Sequence, residues 1–369
     1  MAHKAERPTR RGCGRGGAGP LLHREVPRHH GARRRAGSAA CPSRRGRTGQ
    51  TTQESDMTSP ADRGRVARRT VLASTLACTA VDAAASGDVC APIRPVPVPD
   101  QVPAREGFVD VVGGRLWFWD TGGDGPAVVL VHPGSGSALS WPHQQPVFAR
   151  AGYRVIAYSR RGHYRSSPPE PGNPGVGADD LHAVVRHLGL RRFHLLGAAL
   201  GGFYATDYAL LRPHRLLSLV IVSSFMGISD PEYLRVTGLL RPPGFGDLPH
   251  EFRELGPSYR AADEEGARRW REISERSLGG RAVEFQDLSE PITWARLATL
   301  SVRALIVTGD ADLYLPPPIL AMITAHLPDA DALVYGQVGH SANWERPVEF
   351  NRDVLRFWSG GRFHGGPCR

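Results

Sequence analysis

The chain has 369 residues and a formal net charge of +10, room for one large domain or two small ones and, at face value, the charge of a nucleic-acid binder. The charge is localised: residues 1–56 hold thirteen Lys/Arg against four Asp/Glu, so the remainder is close to neutral and calls for no nucleic-acid partner. The five cysteines are Cys13, Cys41, Cys78, Cys90 and Cys368, and a chain with none between the last two has neither a disulfide framework nor a cysteine zinc site in its body.

Residues 1–56 contain no Phe, Trp, Tyr or Ile and include the run Arg33-Arg34-Arg35. Such a segment cannot bury a core and is expected to be disordered. It reads as upstream sequence translated from a start codon placed too early, with Met57 as the start; a basic nucleic-acid arm is the other reading. Residues 57–85 have a secretory layout. Arg63, Arg65 and the pair Arg68-Arg69 precede the apolar run Thr70–Val81, and Ala83-Ala84-Ala85 offers a small-residue cleavage site. An arginine pair before the apolar run is the twin-arginine pattern, so the protein is expected to be exported. An apolar run of about twelve residues falls short of the roughly twenty that span a bilayer, and no stable membrane span is expected. Residues 86–106 read as a linker.

From Gly107 strand and helix patterns alternate. Phe108–Val112 and Arg115–Trp119 flank Gly113-Gly114, a hairpin signal. Ala127–Val131 is a continuous apolar run of the buried parallel type. Tyr153–Tyr158, Phe193–Leu196, Leu217–Val222, Val302–Val307 and Ala332–Tyr335 repeat it. Helical patterns fall near Trp141–Ala151, Ala178–Leu188, Gly201–Leu211, Pro317–Leu327 and Val348–Trp358. The predicted class is α/β: a doubly wound, mostly parallel, eight-stranded sheet with helices on both faces. The alternation stops once, between Phe225 and about Leu300, in a charged, Pro-rich stretch with a helical run at Glu264–Ser277. The core is therefore assigned to 107–226 and 301–360, and 227–300 to a helical cap insertion over a pocket.

Four motifs carry the chemistry. Val131-His132-Pro133-Gly134-Ser135-Gly136-Ser137 follows the third strand, and Ser159-Arg160-Arg161-Gly162-His163-Tyr164-Arg165-Ser166-Ser167 follows the fourth. Gly197-Ala198-Ala199-Leu200-Gly201 has the frame of the nucleophile elbow G-x-S-x-G, in which a strained strand-to-helix turn presents the central residue above the sheet. Here that residue is Ala199, which cannot attack anything. Gly309-Asp310-Ala311-Asp312 ends the seventh strand, and Gly339-His340-Ser341 follows the eighth.

From about Phe108 to Trp358 the chain resembles the α/β-hydrolase fold superfamily, in the branch of epoxide hydrolases, esterases, haloperoxidase-like enzymes and carbon–carbon bond hydrolases. The resemblance implies an α/β-hydrolase fold, with Asp312 as the acid and His340 as the base. It places backbone oxyanion donors near Gly134 and at Leu200. Asp310 is the alternative acid. Ser135, Tyr164 and Ala198 are candidate pocket residues, with the Tyr164 loop chiefly structural in the family. No metal or cofactor is expected: the fifteen histidines include no helical H-x-x-x-H pair, and no G-x-G-x-x-G or phosphate loop appears.

Three functions are compatible with this pattern. The first is an enzyme in which His340 acts directly as general acid or base on a small organic substrate, by water activation or by lyase, isomerase, carbon–carbon or lactone chemistry. The second is a non-catalytic binding module or degenerate hydrolase. The third is a hydrolase using another nucleophile, such as Ser135 or Ser137. Substrate and oligomeric state are not legible.

Overall fold

The structure is a computed structural model that describes residues 91–363. The basic segment 1–56, the expected signal 57–85, the start of the linker and all five cysteines lie outside the described residues.

Eight strands form one sheet: β1 (Arg105–Val111), β2 (Gly114–Asp120), β3 (Ala127–Val131), β4 (Arg154–Tyr158), β5 (Phe193–Ala198), β6 (Leu216–Val222), β7 (Ala304–Gly309) and β8 (Ala330–Tyr335). Their order is β1-β2-β4-β3-β5-β6-β7-β8. β2 runs antiparallel to both neighbours, and the other pairings are parallel. The β1–β2 turn needs its glycines, since Gly113 has φ +79°, a left-handed conformation that costs a residue with a Cβ free energy. The helices of the core are α1 (Gln145–Arg150), α2 (Gly177–His187) and α3 (Leu200–Leu211). After β6 come α4 (Pro231–Leu239), α5 (His250–Glu254), α6 (Pro257–Ala262), α7 (Glu264–Leu278) and α8 (Trp294–Leu297). The core resumes with α9 (Pro317–Ala325), α10 (Ala342–Glu345) and α11 (Pro347–Trp358).

Side chains on a strand alternate between faces, and β3 feeds both. Val129 and Val131 pack with Leu181 of α2, Ala205 of α3 and Ile323 of α9. Val128 and Leu130 pack with Phe148 of α1 and Phe350 and Phe357 of α11. Both faces are thus covered, which is why the strands read as unbroken apolar runs. The expected helix near Trp141 begins later, at Gln145, where Pro146 fits the first turn of α1 because no intrahelical N–H is required there.

The inserted segment α4–α8 is tied at its base, where Ser229 N–H donates to the Ile292 carbonyl at 2.9 Å. Its longest helix, α7, is bounded by sequence. The Asp263 side chain accepts from Gly266 N–H at 2.9 Å, Glu264 and Glu265 occupy the positive first turn, and Gly279 ends the helix at φ +57°.

α3 lies close against β3 and β5. A Cβ on Gly201 would stand 2.2 Å from the Val131 carbonyl oxygen, and one on Gly197 would stand 2.7 Å from the Gly201 carbonyl oxygen. Backbone cannot move aside as a side-chain tip can. Gly201→Ala is therefore expected to cost about 1–3 kcal/mol of stability, the scale of overpacking a filled core. Urea unfolding of the two proteins measures it, and an unchanged midpoint would mean that the helix is not held this close.

Candidate active site

The elbow is built although its nucleophile is missing. Ala199 joins β5 to α3 at φ +46° and ψ −116°, a left-handed backbone that costs a non-glycine residue about 1–3 kcal/mol unless its surroundings impose it. Here Ala199 N–H donates to the Val222 carbonyl at 2.8 Å, and its own carbonyl accepts from Gly202 N–H at 3.0 Å. The turn is thus pinned to β6 on one side and to α3 on the other. It points Ala199 into a cavity of about 340 Å³, which Gly134, Ser135, Leu200, Tyr314 and His340 also line. Leu200 is the first residue of α3, where an amide has no carbonyl one turn back to bond. The Cβ position of Gly134 is 3.5 Å from Leu200 Cδ2, so the two expected oxyanion positions flank the elbow together.

His340 and Asp312 are paired. His340 Nδ1 lies 2.9 Å from Asp312 Oδ1 and 3.0 Å from Oδ2. The same carboxylate accepts Tyr314 N–H at 2.8 Å and Leu315 N–H at 3.0 Å, and Asp312 is only 3% exposed. A carboxylate facing Nδ1 selects the tautomer protonated there and leaves Nε2 as the base. Burial works against charge on both groups. The Asp312 charge and hydrogen bond, aided by Glu254 and Glu345, outweigh it and raise the His340 pKa above 6.5. The His340 charge and the two amides likewise hold Asp312 below 3.8. Asp310 does other work: its carboxylate accepts Gln337 N–H at 2.7 Å and shapes the turn after β8.

The remaining candidates separate. Ser135 lines the cavity, but its hydroxyl donates to Glu254 Oε2 at 2.6 Å. Ser137 is turned away, 2.7 Å from the Ser277 hydroxyl of α7. Ala198 is the last residue of β5, and strand alternation points it into the apolar layer on the opposite face from its neighbour, not into the cavity. Tyr164 also stands outside the cavity. Its ring packs edge-on against Trp117 at 5.0 Å, and its hydroxyl accepts from Arg276 at 2.9 Å. Its loop holds the oxyanion segment instead, since Arg160 N–H donates to His132 Nε2 at 2.9 Å and His163 Nδ1 lies 2.8 Å from the Gly136 carbonyl.

Sequence reasoning missed the residues that the insertion supplies. Arg241, His250, Arg253, Glu254 and Phe285 line the cavity from that segment. No motif spacing flags them, because a cap residue reaches the pocket only through the tertiary path of its helix. Glu345 was also missed. It is 1% exposed and accepts N–H groups from Gly256 at 2.8 Å, Gly339 at 3.0 Å and Ser341 at 3.1 Å. Burial pushes its pKa up to about 7 against those three amides. It fastens the histidine loop to the start of α6. A larger groove of about 630 Å³ lies along α7 beside Trp117, Trp119 and Trp141, but no member of the dyad borders it. Among the described residues, no group of three or more His, Cys, Asp and Glu could hold a metal ion, and no helix is long and apolar enough to cross a membrane.

Because the His340 pKa is raised, the stabilisation from its charged pairing is full below 6.5 and disappears as pH rises through the folded value. Nuclear magnetic resonance should therefore find His340 titrating above 6.5, and below it in Asp312→Asn, where burial is no longer opposed by the adjacent charge. The substitution is expected to cost about 1–3 kcal/mol, the scale for an unsatisfied partner of a buried charged hydrogen bond. That deficit should shrink as pH rises past the His340 midpoint. A His340 midpoint unaffected by Asp312→Asn would dissolve the pairing.

Comparison with known proteins agrees with this architecture. Residues 126–255 match a family model described as alpha/beta hydrolase fold. A 2-hydroxy-6-oxononadienedioate/2-hydroxy-6-oxononatrienedioate hydrolase of Burkholderia vietnamiensis is 29% identical over 265 residues, covering 66% of this chain and 90% of that one. A second hydrolase of that name, from Pseudomonas putida, is 29% identical over 278 residues, covering 69% and 93%. Among solved structures, a thermophilic esterase from Thermogutta terrifontis superposes with a TM-score of 0.58 at 24% identity, covering 69% of this chain and 98% of that one. The elbow turn, the acid after β7, the histidine after β8 and these matches coincide on one conclusion: the chain belongs to the α/β-hydrolase superfamily.

Proposed function

We propose that the protein is an enzyme that adds water to a reactive carbonyl of a small organic acid, using the His340–Asp312 pair and a backbone oxyanion site without a serine nucleophile. One observation carries this reading: His340, backed by Asp312, shares a single cavity with the Gly134 and Leu200 positions and the strained elbow although Ala199 offers no hydroxyl. An elbow that holds φ +46° at an alanine keeps a costly geometry, and the amide of Leu200 needs that geometry to face a developing oxyanion.

In the proposed reaction the water oxygen bonds to the carbonyl carbon while His340 Nε2 takes one of its protons. The carbonyl electron pair moves to oxygen, where backbone N–H groups hold the charge; one such donor typically contributes about 2.7–4 kcal/mol. When the adduct collapses, the carbon–carbon or lactone carbon–oxygen bond breaks, and His340 returns its proton to the leaving atom. General acid–base catalysis contributes roughly 10²–10⁴-fold, enough for a substrate whose leaving group is itself stabilised. The curated relatives are named for acting on oxo-dioates, which supports a carbon–carbon bond next to a ketone as the target. Arg241 and Arg253 supply positive charge at the cavity, while Phe203, Phe225 and Phe285 supply apolar walls, a lining that favours an anionic, partly unsaturated substrate. The Arg68-Arg69 pair and the apolar run after it further support export of the folded enzyme.

The purified protein should turn over a 2-hydroxy-6-oxo-dienedioate or an enol lactone, and His340→Ala should lower kcat by about 10²–10⁴-fold. Ala199→Ser should introduce hydrolysis of p-nitrophenyl esters that the natural protein lacks, because Oγ would meet His340 and the oxyanion site together. Turnover indifferent to His340→Ala overturns the mechanism. Substrate binding without turnover favours a binding module.

A further inference from the structure

The cavity contains a second carboxylate that the dyad does not use. Glu254, the last residue of α5, is 8% exposed and borders the same cavity as Ala199 and His340. Its main-chain carbonyl accepts His340 N–H at 2.9 Å, so the cap residue and the histidine loop are tied to each other. One carboxylate oxygen, Oε2, accepts the Ser135 hydroxyl at 2.6 Å. Glu254 forms no ion pair among the described residues, and its charge reaches the imidazole, since it is one of the groups that raise the His340 pKa. Its other oxygen, Oε1, makes no hydrogen bond among the described residues, so the carboxylate keeps a free acceptor for a molecule in the cavity.

We propose that Glu254, held by Ser135, is a second catalytic carboxylate that takes the other hydrogen of the attacking water opposite His340. The inference rests on the water-addition reading above. In a serine enzyme the nucleophilic oxygen is fixed by its own covalent bonds. A water above Ala199 has no such tether and needs two acceptors to aim its lone pair at the carbonyl carbon. His340 Nε2 receives the first proton as the carbon–oxygen bond forms, and later gives it to the leaving atom. Glu254 accepts a hydrogen bond from the remaining O–H. As the bond to the leaving group breaks and the product acid ionises, Glu254 receives that second proton and passes it to solvent. One water is consumed, both of its protons are accounted for, and no redox change occurs. Ser135 orients the carboxylate and is a positioning residue rather than a nucleophile.

Glu254→Gln keeps the shape and still offers an oxygen to Ser135. In the natural protein it should lower kcat about 10²-fold with little change in KM. Glu254→Ala should lose activity as well and regain part of it with added formate, a response that a purely structural side chain does not give. In the Ala199→Ser background the attacking oxygen is tethered, so the burst of p-nitrophenolate that reports acylation should survive Glu254→Gln. Thermal melting of each variant checks folding. Turnover that survives Glu254→Gln overturns this inference alone, as does equal loss of natural turnover and of the Ala199→Ser burst. An acyl adduct found on Ser135 by mass spectrometry would make Ser135 the nucleophile and also overturn it. A folded natural protein that turns over no oxo-dienedioate or lactone overturns the underlying reading and this inference together.

Discussion

The contact on which the site depends is the approach of α3 to β3 and β5. Gly197 and Gly201 permit it because a Cβ on either would stand 2.7 Å or less from a carbonyl oxygen. This spacing leaves the chain no gentle path from β5 into the helix, so the turn is taken at Ala199 with φ +46°. Two hydrogen bonds, to β6 and within α3, hold it there. The first amide of α3, the cavity floor and the reach of His340 all follow from that turn. The cavity geometry is a property of backbone packing, and replacing a serine by alanine leaves it standing.

Around His340 the protein gathers three buried carboxylates with different tasks. Asp312 touches the imidazole and sets its tautomer. Glu345 touches only amides, and its pKa of about 7 shows that desolvation exceeds the help from three N–H donors. Glu254 faces the cavity with a single serine hydroxyl as partner. The Asp312 charge first, and Glu254 and Glu345 behind it, favour the imidazolium form, which is the state a general base passes through at the transition state. The same charge makes an anionic substrate unwelcome unless something offsets it. Arg241 and Arg253, which line the same cavity, supply positive charge to meet that need.

Much of this was legible in the residue pattern. Buried parallel strands read as apolar runs because both faces of the sheet are covered, and Gly113-Gly114 marks the antiparallel hairpin before them, so the eight strands and their alternation with helices are legible in the sequence. Ala127–Val131 matched its strand residue for residue. The glycine frame at 197–201, Asp312 and His340 stand at spacings that the fold imposes on any chain adopting it. A local turn and a strand end are short-range features, and short-range features leave sequence marks.

Other features needed the folded chain. Nothing in the spacing separates Asp310 from Asp312; the partners decide, an amide of the β8 turn for one and the imidazole for the other. Ser135, Tyr164 and Ala198 are all pocket candidates by sequence, yet only Ser135 meets the cavity, because strand alternation and ring packing turn the other two away. Glu254 carries no motif, and Glu345 stands in the Trp344-Glu345-Arg346-Pro347 segment of the histidine loop with no legible role of its own. Their carboxylates matter through partners 119 residues away, at Ser135, and 89 residues away, at Gly256. The sequence by itself determined the sheet and the elbow, since each is specified by local periodicity and turn chemistry, while the family resemblance pointed to His340 and Asp312 and left Asp310 as the alternative acid. The tertiary structure decided which polar groups share one cavity, because burial and long-range hydrogen bonding exist only once the inserted segment packs beside the elbow and the histidine loop.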